Sequence, residues 1–131
     1  MWYDIGMNDR NSILIGNTFS LTLIRKNGVK IVCADIEDLR SAAKGRRIVS
    51  FWGHENTRKA AESITGFSLA PKSARPSVSL SRNKLPMLDG EEFNECWVLS
   101  PDYAQFYRPA IGQEVAPESI IGWQVLKIAW L

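Results

Sequence analysis

The sequence predicts a small single domain, α/β or α+β, in which a single-layer mixed β-sheet is flanked by two main helices. Three observations carry that expectation. Short apolar runs stopped by Gly, Asn or Pro recur along the chain and give five or six strands. Two segments combine helical spacing with capping and stop residues. Strands and helices alternate in mixed order, which suits a layered architecture. A length of 131 residues supports one hydrophobic core, so residues 1–131 are read as one domain.

Ser12-Ile13-Leu14-Ile15 is a short apolar run stopped by Gly16-Asn17, the pattern of a buried strand ending in a turn. Phe19 to Ile24 fits a strand or a helical turn equally well. Asn27-Gly28 marks a turn, and Val29 to Ala34 reads as a second strand. Asp35 is placed to cap a helix running to about Lys44, with Ile36, Leu39 and Ala43 at helical spacing and Gly45 as its stop. Arg46 to Trp52 reads as a strand ended by Gly53. Glu55 to Gly66 is the clearest helix, with Asn56 and Thr57 as cap candidates and a terminal glycine. Ala70 to Pro76 is a Pro/Ser loop, and Val78 and Leu80 alternate with serines as in a half-exposed strand. Asn83 to Asn94 contains Pro86 and Asp89-Gly90 and reads as a loop or a long hairpin tip. Cys96 to Leu99 is another strand. Asp102 to Glu118, with Pro109, Gly112 and Pro117, is a long surface loop of the length that often forms lids or binding loops. Trp123 to Leu131 closes the chain as a strand. Trp123 and Trp130, seven apart, then face opposite sides, one toward the core and the other toward a partner subunit. Trp52 and Trp97 are placed on inner strands.

Sixteen basic and 14 acidic residues leave a net charge of +2, too small a basic excess for a DNA-coating protein. His54 is the sole histidine, and Cys33 and Cys96 are the two cysteines. Three such scattered residues do not make a zinc site, and the zinc, P-loop and dinucleotide signatures are absent, so neither metal nor cofactor is expected. No apolar run reaches the roughly 18 residues of a membrane span. Met1 to Arg10 lacks an apolar signal core, so a cytoplasmic protein with free thiols is expected. Catalysis, if present, turns on His54 or on carboxylates.

Gly53-His54-Glu55-Asn56-Thr57 joins a strand to a helix N-terminus, where unpartnered N–H groups and the helix dipole favour an anion. Asn56 and Thr57 add side-chain donors, so a phosphate fits there with the His54 imidazole beside it. The plainer reading is a capping or packing histidine. Asn17-Thr18-Phe19-Ser20 follows a strand end, where open α/β sheets place ligands. There Asn17 suits a nucleobase and Ser20 a phosphate, against the alternative of an Asx turn with Phe19 buried. Arg75, ahead of Pro76, and Arg108, in the long loop, suit bidentate phosphate binding or simple solvent exposure.

In this order the motifs resemble the viral-type ring nucleases, small dimeric anti-CRISPR proteins of archaeal viruses and phages with relatives beside cellular type III CRISPR systems. That family shows A-N-A-F-S at the first site and G-H-[DE]-[ST]-T at the second, matched here by Asn17-Thr18-Phe19-Ser20 and Gly53 to Thr57. The resemblance implies a homodimer that binds cyclic tetra-adenylate and cuts it without metal. It implies that His54 is the catalytic histidine, that Asn17, Ser20, Asn56 and Thr57 contact the ligand, and that Arg75 holds the ring. Arg108 matches the arginine of the closing loop, although Ile111 stands where the family carries Glu, with Glu114 and Glu118 further on. Asn56 stands for the more usual Ser, and Lys84 to Asn94 are additional. The implied chemistry is attack of a 2′-OH on the adjacent phosphorus with His54 protonating the 5′-oxygen, which ends type III CRISPR signalling. A non-cleaving cyclic-nucleotide binder and a small protein-interaction domain with a Trp-rich face are the competing expectations.

Overall fold

The computed structural model describes residues 12–24, 28–73, 76–104 and 119–131. Its main sheet has five strands in the order β2 (Val29–Ala34), β8 (Ile120–Trp130), β7 (Glu95–Tyr103), β1 (Ser12–Gly16), β3 (Arg47–Ser50). β1 runs parallel to both β3 and β7, while β8 is antiparallel to β7 and to β2. Four strands therefore point one way, and the C-terminal ends of β1, β2, β3 and β7 share one end of the sheet. β1 is buried along its whole length, as a parallel strand covered on both faces must be. That explains why its run is continuously apolar rather than alternating.

Strand alternation divides the core in two. Ile13, Ile15, Trp97, Leu99 and Val125 face the helices α1 (Ile36–Ala43) and α2 (Glu55–Thr65), meeting Leu39, Ala43 and Ala61. Leu14, Cys96, Val98 and Ile128 face the other way, toward Phe51, Leu88 and Phe93. The second face is covered by a three-stranded sheet, β4 (Ser79–Leu80), β5 (Pro86–Leu88) and β6 (Glu91–Glu92), which the single-sheet expectation did not include. It grows from the segment read as a loop or hairpin tip. Asp89 and Gly90 both take positive φ, 51° and 81°, the geometry a tight two-residue hairpin needs.

Val29–Ala34 is a strand as read, and Asp35 caps α1 through a reciprocal capping box. Asp38 N–H donates to Asp35 Oδ1 at 2.8 Å and Asp35 N–H to Asp38 Oδ2 at 3.1 Å. Phe19 to Ile24 resolves into a 3-10 turn, Leu21–Leu23. Arg46 lies just outside β3 and ties the sheet together. Its guanidinium donates to the Ser12 carbonyl at 2.7 Å, to the Ala42 carbonyl at 3.3 Å and to Glu95 at 3.3 Å.

Three expectations are corrected. Trp52 follows an edge strand rather than an inner one, and is buried because α2 closes over it. Trp123 and Trp130 do face opposite sides, but both faces are covered within the chain. Trp130, half-buried, meets Phe19 edge-on at 5.9 Å and its indole N–H donates to the Leu23 carbonyl at 2.9 Å, so its side is packed within the chain. Asp102 and Tyr103, assigned to the long loop, belong to β7. β1 ends opposite Val98 and β2 ends opposite Val125, the partner of Leu99. Beyond that level β7 and β8 continue as a two-stranded ribbon for roughly 13 Å. A register shift there leaves Ile121 as an extra residue, 71% exposed.

Candidate functional site

β1 and β3 are parallel neighbours, so their C-terminal ends lie one strand spacing apart, roughly 4.8 Å. This adjacency brings together the two motifs that the sequence separates by more than thirty residues. Asn17 leaves the end of β1, and its side-chain Oδ1 accepts the Gly53 N–H at 2.8 Å. His54, the next residue, is the N-cap of α2 with extended backbone, φ −119° and ψ 102°. The cap is therefore His54, not Asn56 or Thr57, which lie in the first helical turn.

The His54 backbone is held firmly while its side chain is not. Its carbonyl accepts Thr57 N–H, Arg58 N–H and Thr57 Oγ1, each at 3.2 Å. Thr57 Oγ1 in turn accepts the Trp52 indole N–H at 3.0 Å. Trp52 is 2% exposed and Thr57 9%, so this relay is inside the core and costs free energy if broken. The imidazole is exposed and makes no capping hydrogen bond. It stands at the positive end of the helix dipole, and among the described residues its ring has no hydrogen-bond partner.

The structure sorts the other sequence candidates by place. Asn17 is half-buried at the junction, with its amide nitrogen facing no acceptor among the described residues. Asn56 sits half-buried in the first turn of α2. Thr57 is beside His54, but its hydroxyl is spent on Trp52 and the His54 carbonyl, so it positions the histidine. Ser20 is taken elsewhere. It caps the 3-10 turn, accepting Thr22 N–H at 3.3 Å and sharing a hydrogen bond with Thr22 Oγ1 at 2.8 Å. Its neighbour Phe19 is drawn to Trp130, which pairs with Val29, four residues along the sheet from the level of Gly16. The Phe19 ring thus pulls Ser20 back under the small-sheet face. Arg75 and Arg108 lie outside the described residues, as do Ile111, Glu114 and Glu118.

Two positions important to this geometry were not singled out from the sequence. Gly16 is one: a Cβ there would fall 2.3 Å from carbons of the Phe51 ring. Only glycine lets β1 close over Phe51 and deliver Asn17 to Gly53. Trp52 is the other, because its indole orients Thr57. The signal for Gly16 was its place at a strand end before Asn17; nothing in the spacing pointed to the Trp52–Thr57 pair.

Both cysteines are free. Cys33 is exposed on β2 and Cys96 is buried. Burial pushes the Cys96 thiol well above the ordinary cysteine range, and the adjacent Glu95 charge adds to the effect, so Cys96 is a packing residue rather than a nucleophile. No described helix is long and apolar enough to cross a membrane.

No family model and no curated protein matches the sequence. Among solved structures, the fold is similar to B116 of Sulfolobus turreted icosahedral virus, with a TM-score of 0.52 and 16% identity over 92% of this chain and 99% of that one. The likeness is one of fold, and the neighbour is a viral protein.

Proposed function

We propose that this chain is a metal-independent nuclease that binds a cyclic oligoadenylate, cyclic tetra-adenylate foremost, and cuts it with His54 as general acid. The observation that carries the reading is the Asn17–Gly53 hydrogen bond. It joins the two motifs at adjacent strand ends and leaves an exposed imidazole and a helix N-terminus on the same side. RNA brings its own nucleophile, the 2′-OH. The protein's task is then to hold attacker, phosphorus and leaving oxygen in line, stabilise the developing charge and supply one proton. The positive end of the α2 dipole suits the phosphate, and the Asn17 amide suits a base edge. His54 would protonate the departing 5′-oxygen, leaving a 2′,3′-cyclic phosphate. Such general acid catalysis is worth about 10²–10⁴-fold. Sharing its fold with a viral protein agrees with a role against host signalling.

One subunit supplies one histidine, and a two-fold symmetric ring suits an isologous dimer. For two His54 side chains to share one ring, the interface must lie near their end of the sheet. The β2 edge does not serve, since it is four strand spacings from β3, roughly 19 Å. The projecting β7–β8 ribbon, with Ile121 exposed, is at the right end.

The test is incubation with cyclic tetra-adenylate in EDTA. Linear products ending in 2′,3′-cyclic phosphate are expected from the parent and not from His54→Ala, and Ile121→Arg should yield monomers with lower activity. Full activity in His54→Ala, or loss of all cleavage in EDTA, refutes the mechanism. A second reading, binding without cleavage, has its own support: among the described residues no group orients the imidazole. Tight binding with the ring intact after long incubation selects it.

A further inference from the structure

A groove of about 430 Å³ runs along the outer edge of β3, between the segment Ser68–Ser73 and the β5–β6 hairpin. Neither His54 nor Asn17 lines it, so it stands apart from the site above. Its floor is the whole of β3, from Arg47 to Ser50. Among the described residues β3 pairs with β1 alone, and the direction of its backbone groups follows from one bond. Phe51 N–H donates to the Ile15 carbonyl, so residues 47, 49 and 51 turn their amides toward β1 and Ile48 and Ser50 turn theirs outward. No described backbone group receives them. Ser50 is only 7% exposed, and its outward amide opens onto the groove. Both outward amides lack a protein acceptor among the described residues, so this edge can take up a chain that pairs with it.

The walls select the occupant. Lys72 on one side makes no ion pair among the described residues, while on the other Glu91 is joined to Arg47. Asp89 lies at the hairpin end. Among the described lining residues two cations and two anions balance, which suits a neutral backbone with one acidic side chain near Lys72. The floor is long enough for roughly four extended residues.

We propose that this groove binds an extended peptide segment of a partner protein, added to β3 as a sixth strand and carrying an acidic side chain that meets Lys72. Backbone pairing supplies the affinity, and the walls supply the selectivity. The proposal stands whether or not the nuclease reading does.

The probe is an acetylated, amidated hexapeptide, Thr-Val-Glu-Val-Thr-Val, with its Glu→Lys counterpart, added to the isotope-labelled full chain. Saturable amide shifts are expected at Ile48, Ser50, Lys72 and Ser73. At a peptide concentration ten times Kd, exchange of the Ile48 and Ser50 amides should slow about ten-fold. Ile48→Pro removes an outward N–H that the β1 ladder does not use, a substitution an edge strand tolerates, and should abolish binding with the circular dichroism unchanged. Lys72→Glu should weaken the Glu peptide about two- to five-fold and favour the Lys peptide; this surface change keeps the test valid if the proline variant misfolds. No shift at millimolar peptide, shifts mapped elsewhere, or equal binding by Lys72→Glu of both peptides overturns the proposal. So does protection of Ile48 and Ser50 that grows with protein concentration alone, which would assign the edge to a second copy.

Discussion

Thr57→Val tests whether the buried relay beneath His54 does what its geometry implies. Valine keeps the shape of threonine but removes the hydroxyl that accepts the Trp52 indole and donates to the His54 carbonyl. Trp52 is 2% exposed, so no water replaces the lost acceptor. An orphaned buried donor costs about 1–3 kcal/mol and the second bond about 0.5–1.5 kcal/mol. A loss of about 2–3 kcal/mol follows. Unfolding entropy near 2.1 cal/mol/K per residue, applied to 131 residues, converts this to a fall in Tm of about 7–11 °C. Differential scanning calorimetry of the parent, Thr57→Val, Trp52→Phe and the double variant measures it. Phenylalanine has no N–H to strand, so the double variant should be more stable than the sum of the singles by about 1–2 kcal/mol. A Tm drop under about 2 °C for Thr57→Val, or strictly additive losses, would refute the relay.

Three further outcomes follow from the same structure. Asn17→Ala should cost about 1 kcal/mol or less, because Gly53 is exposed and water can take its N–H, yet it should cut ring cleavage sharply; unchanged cleavage would remove Asn17 from the site. Gly16→Ala should lower stability by about 1–3 kcal/mol, or about 4–11 °C in Tm, since the Phe51 ring must yield to the new Cβ; an unshifted melt would show that the strand end relaxes freely. Cys96 keeps its proton in the native state, whereas the unfolded thiol ionises near pH 8.5. Its contribution is therefore fully present below about pH 8.5 and is lost above it by about 1.4 kcal/mol per pH unit, as pH climbs toward the raised native value. Chemical denaturation from pH 7.5 to 10 should show that slope in the parent and a flatter one in Cys96→Ala.

The parts of the fold that local chemistry decides were legible in the sequence. Gly28 and Asp35 bound the strand Val29–Ala34, and Gly66 ends α2 in the left-handed conformation, φ 80°. What local chemistry does not decide was misread. Asn56 and Thr57 have the composition of caps, but α2 begins at Glu55 with His54 as its N-cap, and the Thr57 hydroxyl accepts the Trp52 indole N–H instead. The strand read from Cys96 to Leu99 stops short of Pro101, yet Pro101 pairs with Trp123 where β7 has already passed the end of β1. A missing N–H is harmless at such an edge. At the site, the meeting of Asn17 with Gly53 follows from β1 and β3 being neighbours, which is a matter of topology. Ser20 shared the motif but not the destination, because the Phe19 ring contact with Trp130, two strands away, determined its path.

The central strand has a consequence for how the chain is made. Leu14 lies against Val49 on one side and Cys96 on the other. A ribosome adding about 5–20 residues per second needs roughly 4–16 s to go from the first of these three residues to the last. Throughout that interval the nascent chain carries Ile13-Leu14-Ile15 with at most one of its two neighbours synthesised. The segment that will become the most protected in the domain is the most adhesive part of the growing chain, and it becomes safe only when β7 leaves the exit tunnel.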